Sequence, residues 1–124
     1  MRPNPSFPYE FANPQDWATI AEKLYGDAPQ FEHLRAIVQS VMDAGLDDKL
    51  AVKTSMFDLL VTERPVRPQP FELIKVYSPN QRTPDSVEIE HLSITGRNDR
   101  IIRPVSETVP LFWRFVSEKF GVSR

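Results

Sequence analysis

The chain predicts an α+β fold: two N-terminal helices, an antiparallel four-stranded meander, and a C-terminal helix packed on one sheet face as a two-layer sandwich. Three observations lead there. Residues 87–94 alternate as a half-buried strand does, Gly96 to Asp99 supply turn chemistry, and residues 100–103 return before Pro104. Val109, Phe112, Trp113, Val116 and Phe120 then recur at helical spacing and stop at Gly121. Upstream, two more helical stripes lie between residues 14 and 45, separated only by Gly26 and Asp27.

The 124 residues fit one domain, 1–124. A chain of this size buries about two-thirds of its unfolded surface. The first twelve residues read as an extended arm, because Pro3, Pro5 and Pro8 remove donors and helix compatibility. Phe7, Tyr9 and Phe11 alternate along it and dock on one side. The first helix takes Asn13 as its N-cap, Pro14 at the first position and Asp16 in the first turn. Trp17, Ile20, Ala21, Leu24 and Tyr25 make its face, and Gly26 ends it. Asp27 with Gln30 reads as a capping box for the second helix. Phe31, Leu34, Ile37, Val38, Val41 and Met42 form that helix's stripe, with Gly45 as a left-handed terminator.

Residues 46–56 are open between helix and strand, and residues 54–63 read as a strand with two rather apolar faces. A helix carrying Leu50, Phe57 and Leu60 or Val61 is the competing reading. Three prolines in residues 64–70 make a stiff loop, residues 71–77 a second strand, and residues 78–85 another loop. At His91 and Leu92 the alternation slips, as at a bulge.

Composition excludes several function classes. The net charge of -2, and the acids Asp99 and Glu107 among the C-terminal arginines, speak against nucleic acid. Residues 1–63 carry ten acids against five bases and residues 64–124 ten bases against seven acids, a split that complementary halves of one domain explain. No run is apolar enough to span a membrane, and the N-terminus lacks the apolar stretch of a signal peptide, so a cytoplasmic protein is expected. Without cysteine there is no thiolate nucleophile or thiolate ligand, and no metal-binding spacing is present. The four glycines are isolated, so no phosphate cradle forms, and no cofactor is expected.

The remaining chemistry is sparse. His33 lies off the apolar stripe and reads as a solvated helix residue. Glu88 and Glu90 share one face of their strand about 7 Å apart. On an open sheet they suit a charge-paired surface with Lys75 as cross-strand neighbour better than a glycosidase pair. Arg97, Arg100 and Arg103 form a basic cluster suited to carboxylate or phosphate recognition. The expected function is therefore a non-enzymatic protein-interaction role, of which immunity or antitoxin proteins are one form. Lys75, Glu88, Glu90, Arg97, Arg100 and Arg103 would meet the protein partner. The alternative is a small-molecule or enzyme pocket between sheet and C-terminal helix, lined by Tyr77, His91, Phe112 and Trp113. Surface-seeking aromatics in the arm favour a homodimer.

Overall fold

The computed structural model describes residues 11, 14–26, 28–68, 71–79, 85–93 and 99–124. Helices and a five-stranded antiparallel sheet of order β1-β2-β3-β4-β5 place it in the α+β class. The strands are β1 (Leu50–Ser55), β2 (Asp58–Glu63), β3 (Leu73–Val76), β4 (Ser86–Leu92) and β5 (Asp99–Pro104). The expected meander had four strands. The fifth arises because residues 50–63 form a hairpin rather than one strand, with Met56 and Phe57 as its two-residue turn. That turn is of the kind whose twist matches flanking strands, and it needs positive φ at both positions. Met56 has φ 50° and Phe57 φ 74°. Nothing in Met-Phe itself signals a turn; the available signal is the flanking pair Ser55 and Asp58, residue types common in turns. The helix competitor for this stretch is replaced by a short turn at residues 47–49 followed by β1.

The first helix starts one turn later than its proline suggested. Asp16 caps it, accepting from the Thr19 amide at 3.0 Å, while Asn13 lies outside the described residues. A short α-turn, α1 (Trp17–Thr19), widens into a π-helix at Ile20–Tyr25 and closes on Gly26. A 3-10 turn at Pro29–Phe31 leads into α2 (Glu32–Asp43), and the proposed cap Asp27 is also outside the described residues. A second 3-10 turn, Val105–Glu107, leads into α3 (Thr108–Phe120). Gly121 ends α3 in the left-handed region at φ 69°, donating its amide to Ser117 O at 3.0 Å.

One buried cluster joins Trp17, Ile20 and Tyr25, the stripe of α2 and the stripe of α3 to one sheet face, which carries Leu50, Val52, Leu59, Val61, Ile74, Val76, Val87 and Ile89. The opposite, outer face carries a second cluster: Ala51, Leu60, Leu73 and Leu92 lie with Phe11 and Phe71. Phe11 meets Phe71 edge-on at 5.6 Å. This explains the slip at His91 and Leu92. The β4 register runs unbroken on both sides, Leu73↔Leu92 to Val76↔Ile89 and Ser86↔Pro104 to His91↔Asp99, so there is no bulge between Ser86 and Leu92. Leu92 is apolar because its end of the outer face is covered too.

Candidate functional site

The outer face beyond the Phe11 cluster holds most of the charged residues expected to meet a partner. Lys75 pairs with Glu90 and Glu90 with Arg100 across three strands. Tyr77 continues β3 on this face, its amide donating to Glu88 O at 3.0 Å. The phenol donates to Glu90 Oε1 at 2.6 Å. Lys75 Nζ and Arg100 Cζ each lie 4.5 Å from the Tyr77 ring centroid, within cation–π range. Lys75 also sits 3.6 Å from Asp58 Oδ2, and Arg100 is ion-paired to Glu88. The charges are thus matched among themselves around one aromatic ring. Arg103 projects from the other side of β5, and Arg97 lies outside the described residues.

The second set, Tyr77, His91, Phe112 and Trp113, is not brought together. Tyr77 belongs to the outer face. Phe112 and Trp113 are buried in the main core, with Trp113 Nε1 donating to Ser40 Oγ at 2.9 Å. His91 stands at the rim of the core face, its ring 5.8 Å from Phe115 and its Nε2 2.9 Å from Asp99 Oδ2. A cavity of about 200 Å³ opens beside it, lined by Glu72, Phe115, Glu118 and Lys119. There Lys119 Nζ meets Glu72 Oε1 at 3.0 Å, an ion pair between α3 and the residue ahead of β3. Phe112 and Trp113 do not line this cavity because α3 turns them into the packed core.

A larger concavity lies at the β1–β2 turn. A groove of about 680 Å³ runs between the start of α2 and the hairpin tip, walled by Pro29, Phe31, His33, Phe57, Pro79 and Val105 among others. Phe57 stacks on Phe31 with centroids 5.2 Å apart and planes 12° from parallel, and Phe31 in turn meets Tyr25 at 5.4 Å. The Tyr25 hydroxyl donates to Phe57 O at 3.0 Å, tying the turn to the first helix. Burial, with Asp58 adding a smaller effect, holds that phenol protonated well above its ordinary value. Asp58 accepts the Ser78 amide at 2.6 Å, which fixes the chain leaving β3 against the hairpin.

His33 departs most from expectation. It is half-buried, not solvated, and its Nε2 is buried without a hydrogen-bond partner among the described residues. Desolvation pushes its imidazole below the ordinary value, so the ring stays neutral at pH 7. Local spacing does not mark Met56, Phe57, Phe31 or His33 as site residues. The one available signal was Phe31 with Phe57 as large apolar residues next to loops. Among the described residues, no group of three His, Asp or Glu side chains converges to hold a metal ion. No described helix is long and apolar enough to cross a membrane. No family model matches this chain, and no curated protein or solved structure matches it either.

Proposed function

We propose that this chain works by binding another protein, with the tip of the β1–β2 hairpin and the groove behind it as the contact surface. The observation that carries the reading is the turn itself. Met56 is 91% exposed and Phe57 46% exposed, both in the left-handed region where asparagine and glycine are favoured. Phe57 stacks on Phe31, but Met56, held there at a conformational cost and turned to solvent, stabilises nothing within the monomer that a polar turn residue would not. Strain of that kind concentrates at sites of recognition. Methionine and aromatic residues are also enriched in the centres of interfaces, where they fill pockets on the partner. The groove offers the reciprocal feature, an apolar slot for an aliphatic or aromatic side chain. By contrast, the outer-face charges already satisfy one another and leave less unmet charge to attract a partner.

A small-molecule reading has one observation in its favour: the groove falls within the volume range of ligand sites and has a polar atom without a partner in its wall. The two are separated by changing the tip and the groove independently. Met56→Asp alters a fully solvated side chain, and Ala36→Arg fills the groove from α2. In pull-downs from the native host, the wild-type chain should retrieve a partner that both variants lose while melting as the parent does. A partner retained by Met56→Asp would refute the tip as contact surface. Ligand-induced stabilisation abolished by Ala36→Arg but unaffected by Met56→Asp would establish the small-molecule role.

A further inference from the structure

The two edges of the sheet are finished differently. On β1 the outward backbone groups belong to Leu50, Val52 and Thr54, and Gln15, ahead of α1, together with Trp17 at its start occupies them. Trp17 Nε1 donates to Leu50 O at 2.9 Å, Gln15 N to Val52 O at 2.8 Å, and Thr54 N to Gln15 Oε1 at 2.6 Å. That edge is closed to another strand.

On β5 the hydrogen bond from Val105 N to Asp85 O, together with the β4 register, settles which groups face inward. Asp99, Ile101 and Arg103 bond to β4, so the N–H and C=O groups of Arg100 and Ile102 point away from the sheet. Pro104 lacks its N–H on this same outward side, where β4 does not need it. Five of the six residues are exposed, and Ile102 is 55% exposed although apolar. Among the described residues the one side chain reaching these outward groups is Arg103, whose Nη1 donates to Ile102 O at 3.1 Å.

We propose that β5 pairs antiparallel with β5 of a second copy of this chain about a twofold axis at Ile101, joining the two sheets into one. The residues select this register. With Ile101 opposite its mate, Arg100 lies opposite Ile102 of the partner, and each such pair exchanges two backbone hydrogen bonds. Asp99 then lies opposite Arg103 of the partner, twice by symmetry, at the closer-spaced type of antiparallel pair. The Asp99 side chain is 77% exposed while bonded to His91, so an arginine can reach its carboxylate. Moving the register by two residues one way sets Arg100 against Arg100. Moving it the other way sets Arg100 against Pro104, which has no donor, and Arg103 against Ile101. Only the first register matches charge and backbone donors together. The Met56 tip lies on the β1 side of the sheet, while the groove behind it reaches Val105, directly after β5.

Sedimentation equilibrium of the wild-type chain, Asp99→Arg, Arg103→Asp and the double swap tests the pairing, with melting curves verifying that each is folded. The wild type should dimerise with a Kd on the order of tens of micromolar. Each single variant should weaken association about tenfold or more, since both symmetry-related pairs become like-charged, and the swap should restore it to within about threefold. Ile102→Pro, which removes an outward donor that the fold does not use, should abolish the dimer without the charge change. A wild type that stays monomeric to about millimolar concentration overturns the proposal. So does a dimer indifferent to Ile102→Pro, or a swap that fails to restore what the singles lose.

Discussion

At the scale of single residues, burial decides what a side chain contributes. Trp113 packs edge-on against Phe112 with centroids 5.5 Å apart and anchors its ring nitrogen on Ser40, linking α3 to α2. Trp113→Ala should cost about 3–5 kcal/mol in chemical denaturation, while Trp113→Phe should lose much less because the packing survives. His33 makes a different prediction. Its folded pKa lies below the ordinary 6.5, so below that pH the unfolded chain takes up the proton more readily. The stability conferred by neutral His33 is complete above 6.5 and lost as pH falls below it. His33→Leu removes both the titration and the orphaned nitrogen. Melting temperatures measured from pH 5 to 8 should fall less toward acid in the variant than in the parent, and the variant should be no less stable at pH 8.

Among the elements, those with strong local signals were legible and the one without was missed. The stripes of α2 and α3 are buried at 3.6-residue spacing, whereas the first stripe runs through the π-helix Ile20–Tyr25 and keeps Trp17, Ile20, Ala21 and Tyr25 buried on a wider turn. The terminators Gly26, Gly45 and Gly121 all take positive φ, as expected where a chain must reverse at a helix end. The β1–β2 turn shows the opposite case. Pairing between Leu50 and Glu63 through Ser55 and Asp58 forces a two-residue reversal on residues whose local preference is extended. Met56→Asn should therefore raise stability by about 0.5–1 kcal/mol, since asparagine tolerates the left-handed region and Met56 buries little. Under the binding proposal the same variant should bind the partner less well, so thermal stability and affinity should move in opposite directions.

For the molecule as a whole, the sheet is apolar on both sides at one end and charged on its outer side at the other. Phe11 is 4% exposed and covers Leu60, Leu73 and Leu92 with Phe71. Phe11→Ala should destabilise the protein by about 3–5 kcal/mol, a cost comparable to that of a main-core aromatic, measured by denaturant titration. A loss under about 1 kcal/mol would mean that the outer cluster adds little to the fold. What the amino-acid order determined by itself was the fold class, the helical faces, the β4–β5 return and the common face of Glu88 and Glu90, all set by periodicities of a few residues. Tertiary structure alone decided the rest. The partners of Tyr77, the different finish of the two sheet edges among the described residues and the groove at Phe57 depend on contacts that local spacing does not record: Tyr77 meets Glu90 across 13 positions, Tyr25 meets Phe57 across 32 and Gln15 meets Thr54 across 39. Local spacing records which side of an element is apolar, but not which other element will cover it, and the candidate sites lie where that cover stops.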